Sequence, residues 1–192
     1  MKAYLILIIL FTPLADLAAQ TLPILIDQLI LASEKKSIKG YELYEIGELD
    51  FYNSTARGQK NFYIVDKNTG NKLYTYQEEE PEAKHLVPNF FMAAGNPSLI
   101  ILCVSLEGDY SWGSHFFIID NKKVTYSGFI GYGVDNFNFS GIALYSQFEQ
   151  HGDSFVMFFQ DDVEIIDFSN DKLISGSDIE FTLSKTEVSR SK

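Results

Sequence analysis

Leu99 to Leu106 is a near-continuous apolar run, and it constrains the fold more than any other segment of the chain. Successive residues of a strand point to opposite faces, so apolar residues at consecutive positions need both faces covered. The run therefore predicts a central, doubly buried strand. Its surroundings agree with a β structure. From Tyr41 onward, short stretches rich in Val, Ile, Phe, Tyr and Thr alternate with Gly, Asn and Asp, the composition of strands and turns.

Three hairpins are expected. Phe62 to Asp66 and Lys72 to Tyr76 flank Lys67-Asn68-Thr69-Gly70-Asn71, with Gly70 suited to a positive φ. Phe116 to Asp120 and Lys123 to Tyr126 flank the tighter Asn121-Lys122, and Phe155 to Gln160 and Val163 to Phe168 flank Asp161-Asp162. Ile142 to Phe148 and Ile179 to Leu183 read as further strands. Residues 78–89, with Glu78-Glu79-Glu80-Pro81 and Pro88, read as a solvated loop. One helix is predicted, from Thr21 to Lys36. Thr21 suits a cap, Pro23 the first turn, and Leu22, Leu25, Ile26, Leu29 and Ile30 recur at helical spacing before Gly40.

These elements predict a mainly β fold, an antiparallel sandwich or curved meander with one N-terminal helix. A small β-propeller-like array is the alternative, because Phe62-Tyr63-Ile64-Val65-Asp66 and Phe116-Phe117-Ile118-Ile119-Asp120 resemble one another. The spacing of such units is irregular, which favours the meander.

Residues 1–19 read as a cleavable secretory signal peptide. Lys2 is the positive start, Ala3 to Phe11 the apolar stretch, and Ala19 the last residue before cleavage. The stretch is shorter than the roughly 20 apolar residues a membrane-spanning helix needs. The mature portion, residues 20–192, reads as a single β-rich domain with a helical lead-in at 20–40 and a frayed tail at 184–192. About 173 residues can bury a core without staples. The chain is expected to be exported, periplasmic or secreted, with no stable membrane insertion.

A net charge of −11 disfavours nucleic acid and anionic lipid, which call for clustered Lys and Arg. Cys103 is the only cysteine, so the chain has neither an internal disulfide nor a thiolate metal cluster, and within an apolar run it acts as a small hydrophobe. No metal-protease, nucleophile-elbow, P-loop, dinucleotide or redox-cysteine motif occurs. Ser33-Glu34-Lys35-Lys36 has the SxxK spacing without its partner motifs. Asp66-Lys67-Asn68-Thr69-Gly70 opens like a calcium loop, but Gly70 stands at a ligand position and Gln77 where a bidentate Glu belongs. Neither a metal nor a cofactor is expected.

Two groups of residues carry functional readings. Tyr126 to Phe139 interleaves glycines with aromatic and polar side chains, and Tyr110 and Trp112 lie nearby. Aromatics on Gly-rich segments give large contact area, and Asn or Asp adds directional hydrogen bonds. Tyr110, Trp112, Tyr126, Phe129, Tyr132, Asp135 and Phe137 are therefore the candidate binding residues. The expected function is a non-enzymatic binding protein that engages a protein partner, in one form an immunity or inhibitor protein whose acidic face occludes a basic effector. A glycan-binding module is one alternative, with Trp112 and Tyr132 as its platform. The other is a hydrolase of unfamiliar type centred on His115 with Glu107 or Asp109, and with Ser111 or Ser114 as nucleophile. His151-Gly152-Asp153 is read as a polar turn.

Overall fold

The computed structural model describes residues 24–29, 36–56, 58–81, 83–93, 95–108, 111–134 and 141–192. The chain runs through β1 (Ile24–Leu29), β2 (Lys36–Ile38), β3 (Tyr41–Ile46), β4 (Leu49–Ser54), β5 (Asn61–Asp66) and β6 (Lys72–Gln77). It continues through β7 (His85–Ala93), β8 (Asn96–Glu107), β9 (Ser111–Asp120), β10 (Lys123–Ile130) and β11 (Tyr132–Val134). After a 3-10 turn at Ile142–Tyr145 come β12 (Ser146–His151), β13 (Ser154–Phe159) and β14 (Glu164–Asp167). β15 (Lys172–Ser175), β16 (Glu180–Leu183) and β17 (Val188–Arg190) complete it.

The strands form three antiparallel sheets. Nine of them pair in the order β10-β9-β8-β7-β1-β12-β13-β16-β17, three as β11-β14-β15, and five as β2-β3-β4-β5-β6. The fold is mainly β, and the described residues form no array of equal blades. The two look-alike segments, Phe62–Asp66 and Phe116–Asp120, fall in different sheets.

The nine-stranded sheet curls until its two edge strands touch. A Cβ on Gly128 of β10 would lie 2.5 Å from Val188 Cγ1 on β17, so only glycine fits at this seam. Lys185 Nζ, just before β17, reaches Asp120 Oδ2 at 2.8 Å. Inside the curl lies one core, to which Phe91, Ile101, Phe116, Phe148, Met157 and Phe181 contribute from across the sheet. The three-stranded sheet packs on the same core through Ile165, Tyr132 and Ile174.

A second core lies on the outside of the curl, where the five-stranded sheet covers β7, β8 and β9. Phe51, Phe62 and Ile64 from one side meet Phe90, Leu102 and Phe117 from the other. β8 serves both cores by simple alternation: Leu99, Ile101 and Cys103 face inward, and Ile100, Leu102, Val104 and Leu106 face outward. The Leu99–Leu106 run is thus the doubly buried central strand that its composition predicts.

The first two hairpins form as expected. Gly70 has φ of 70°, and Asn121 and Lys122 have φ of 49° and 68°, the pair of left-handed residues of a tight type I′ turn. A lysine is an unusual occupant of that region. Here its side chain ties the hairpin tip to the five-stranded sheet, with Lys122 Nζ 2.9 Å from Glu48 Oε2 and 3.1 Å from Asp66 Oδ1.

Other expectations give way to tertiary pairing. Ile24–Leu29, inside the expected helix, is instead β1, laddered between β7 and β12; Thr21 to Pro23 and residues 30–35, Ser33 and Lys35 included, lie outside the described residues. Both neighbours present open edges at that position, and six ladder residues outweigh a modest helical propensity. Residues 155–168 make no hairpin either. β13 is flanked by β12 and β16, so β14 leaves to pair with β11 and β15. Ile142–Tyr145 is 3-10 rather than strand, β7 already begins at His85, and the tail contributes β17. The signal segment 1–19 lies outside the described residues. Among the described residues no helix is long and apolar enough to cross a membrane.

Candidate functional site

Above the second core, where β6, β9 and β10 converge, four polar side chains are joined by hydrogen bonds. Glu78 follows β6, and its backbone N–H donates to Lys60 O at 2.8 Å. Its Oε1 accepts from the Glu80 N–H at 2.8 Å. Its Oε2 accepts from Tyr76 OH at 2.8 Å and from His115 Nε2 at 2.8 Å. On the far side of the imidazole, Tyr126 OH lies 2.9 Å from Nδ1. An ionised carboxylate only accepts, so the network assigns the proton to Nε2 and leaves Nδ1 to accept from Tyr126. The 2.9 Å approach of Tyr76 OH to Nε2 is then two donors sharing one carboxylate oxygen.

The electrostatics follow from this burial. Burial holds the His115 pKa below its ordinary value, although Glu78 acts in the other direction, so the neutral ring is favoured. Burial pushes the Glu78 carboxyl up, but the Glu80 N–H, Tyr76 OH and His115 outweigh it, and the net shift is downward. Burial, with Glu78 and Tyr74 adding to it, raises the Tyr126 phenol.

The rim over this network is aromatic. Tyr126 and Phe129 are each 42% exposed on β10, the sheet-edge strand. Residues three apart in a regular strand face opposite sides. A bulge between Tyr126 and Gly128 inserts one residue, so both rings lie beside His115, with centroids at 5.7 and 4.8 Å. Phe129 also lies over Gly113, where a Cβ would come within 2.2 Å of its ring. Glycine at 113 therefore lets the ring lie flat against β9.

The remaining candidates are distributed elsewhere. Tyr132 is half-buried on β11; its hydroxyl donates to Asp167 Oδ2 at 3.2 Å and its ring meets Phe181 edge-on at 5.1 Å. Trp112 contributes backbone to β9, while its side chain, together with Tyr110, Asp135 and Phe137, lies outside the described residues. Glu107 stands opposite Ser111 and His85, whereas His115 stands opposite Val104, so the carboxylate on His115 is Glu78. Asp109 lies outside the described residues. Ser114 is adjacent to His115 and so faces the inner core, where its Oγ is 3.1 Å from Ser105 Oγ. Ser111 lies on that side too, sharing Gly141 as a neighbour with Ser105. Cys103 is fully buried beside them, and burial pushes its thiol up to about 12.

Asp66, the first residue of the calcium-like loop, caps its own turn by accepting from the Asn68 N–H at 2.9 Å. Among the described residues no three His, Cys, Asp or Glu side chains cluster in a way that could hold a metal. His151 ends β12, and Gly152 after it turns the chain with φ of 62°.

Sequence reasoning passed over Tyr76 and Glu78, which it left at the end of a hairpin and in a loop. Their signal is the alternation Tyr74, Tyr76, Glu78 along one strand face. It also passed over three tyrosines on the outer face of the five-stranded sheet. Tyr52 and Tyr63, opposite each other on β4 and β5, stack at 4.6 Å, and Tyr41 meets both edge-on. With Lys72 Nζ 4.4 Å over the Tyr63 ring, these residues present edges and hydroxyls rather than open faces. Comparison of the chain with protein-family models, curated proteins and solved structures gives no match.

Proposed function

We propose that the chain is an exported, non-enzymatic binding protein that engages a protein partner through the aromatic face of β10, in the manner of an immunity or inhibitor protein. One observation carries the reading: Tyr126 and Phe129 remain exposed side by side, brought onto one face by a bulge and backed by a buried polar network. Large aromatics on a rigid support are the residues that anchor protein interfaces. The charge of −11 suits a basic partner, whose approach it would accelerate.

The same network speaks against His115 as a base. With Nε2 donating to Glu78, its lone pair on Nδ1 faces the Tyr126 hydroxyl, so the proton it could take is that phenol's. The phenol beside it is shifted away from the phenolate that a nucleophile would require. His115 positions Tyr126 instead.

The test is retention of envelope and secreted proteins on the immobilised chain, compared with a Tyr126→Ala/Phe129→Ala variant whose far-UV circular dichroism shows it folded at the assay temperature. One basic partner held by the first and lost from the second is the expected result. Equal retention by both, or a hydrolytic activity abolished by His115→Gln, overturns the reading.

A further inference from the structure

The network under the β10 rim holds one group of a type that changes charge near neutrality, the His115 imidazole, and its geometry fixes how that change reaches the surface. Nε2 lies 2.8 Å from Glu78 Oε2, and Nδ1 lies 2.9 Å from Tyr126 OH. Glu78 is itself fastened, its Oε1 by the Glu80 N–H and its Oε2 by Tyr76 OH. Among the described residues His115 is the cation that pairs with it, the two side chains being 12% and 8% exposed. A proton added to the ring therefore strengthens an existing contact and leaves the ring in place.

The change is felt at Nδ1. In the neutral ring this nitrogen accepts from Tyr126. Protonation from solvent makes it a donor, and two donors cannot face each other across 2.9 Å. The phenol has to turn its own proton away and accept from Nδ1 instead. It has room to do so: Tyr126 is 42% exposed, and among the described residues Nδ1 is the hydrogen-bond partner of its hydroxyl. The other groups around the ring keep their state meanwhile. Tyr74 and Tyr76 on β6 and Tyr126 on β10 have phenols raised by burial, so they stay protonated. Val104 on β8 and Phe129 on β10 stand opposite His115 and carry no charge. Glu78 is the carboxylate on the ring, held below the ordinary carboxylate range.

We propose that the β10 face is a pH-sensitive surface, switched by reversal of the hydrogen bond between His115 and Tyr126. It holds a basic partner while the ring is neutral and releases it when the ring is charged, which rests on the reading of this face as the partner-binding surface. With the ring neutral, the Tyr126 hydroxyl donates inward, and its oxygen is left to accept from an N–H of the partner. With the ring protonated, that oxygen accepts from Nδ1, the hydroxyl proton points outward, and a positive charge lies beneath the rim. Both changes oppose a cationic N–H donor. One proton is taken up, from solvent onto Nδ1, and none leaves the site.

The experiment follows the purified chain, isotope-labelled in its histidine and tyrosine rings, by nuclear magnetic resonance from about pH 8 to about pH 4, which spans the ordinary histidine and carboxylate values. Far-UV circular dichroism checks that the fold holds across that range. The expected result is the Nε2–H tautomer of His115 at the alkaline end, then protonation at Nδ1, with the Tyr126 Cζ resonance moving at the same midpoint. Tyr126→Phe assigns that resonance by its loss, and in His115→Gln it should stay still. A partner retained at neutral pH should leave the wild-type chain on acidification through the midpoint and stay on His115→Gln, which cannot take the charge. An Nδ1–H tautomer at the alkaline end, a Tyr126 resonance indifferent to the His115 titration, unfolding before the ring titrates, or equal acid release from His115→Gln overturns the switch. Coupled resonances without any retained partner would overturn the partner reading instead, so the two fail separately.

Discussion

Truncating Phe117 separates scaffold from rim in the aromatic layer. Phe117 is fully buried between the sheets, with the rings of Phe62, Tyr74, Tyr76 and Tyr126 at 5.4, 5.7, 5.5 and 5.1 Å. Phe117→Ala loses the transfer free energy of a phenyl group and leaves a cavity walled by rings from two sheets, which cannot all move in to fill it. Such changes cost about 3–5 kcal/mol. Each edge-on aromatic pair is worth about 0.5–1.5 kcal/mol beyond area. Several pairs break at once, which places the expected loss in the upper half of that range, about 4–5 kcal/mol. With a urea slope of about 2 kcal/mol per molar, the unfolding midpoint drops by about 2 M. Phe129→Ala is the control: its ring is 42% exposed, so its loss should be about 1 kcal/mol. Urea melts followed by far-UV circular dichroism read both. A loss below about 2 kcal/mol for Phe117→Ala, or equal losses in the two variants, would refute the assignment of one ring to scaffold and the other to surface.

Acidification should destabilise the protein in two stages. The folded pKa of His115 is lowered by burial, so below about 6.5 the unfolded chain takes up a proton first, and stability declines from there through the folded value. Glu78, lowered in the folded state, contributes stability above its unfolded pKa that is lost as the pH falls through its folded one. Urea midpoints against pH should lose the first stage in His115→Gln; an unchanged profile contradicts the assignment. Cys103, buried with a thiol pushed up to about 12, should resist a thiol reagent at pH 8 in the native protein and react on unfolding, and prompt native labelling would contradict its burial. Gly176→Ala should lower the melting temperature by several degrees, because its Cβ would lie 2.3 Å from Gln160 O, a backbone atom with little room to retreat. Wild-type melting would show that the turn after β13 yields.

Much of the architecture was legible in local pattern. Consecutive apolar residues from Leu99 to Leu106 have no stable place except a strand covered on both faces, and β8 occupies such a place. Asn121-Lys122 and Gly70 are turn residues by their own chemistry, so the first two hairpins could be read from a few adjacent positions. Tyr126 and Phe129 were singled out by residue type alone, and both are exposed on β10.

What the pattern could not carry was anything that depends on a partner far along the chain. Ile24–Leu29 suits helix or strand about equally, and the open edges of β7 and β12 decided for a strand. Asp161-Asp162 looks like a hairpin turn, but β16 had taken the edge that β14 would have used. His115 found its carboxylate in Glu78 rather than in nearby Glu107, because strand register and not sequence distance sets which side chains meet. A single inserted residue at the β10 bulge put Tyr126 and Phe129 on one face. Alternation and turn chemistry are local energies that any short segment expresses by itself. Edge pairing, register and the burial of a charge are differences between competing assemblies, and those exist only once the sheets have closed on one another.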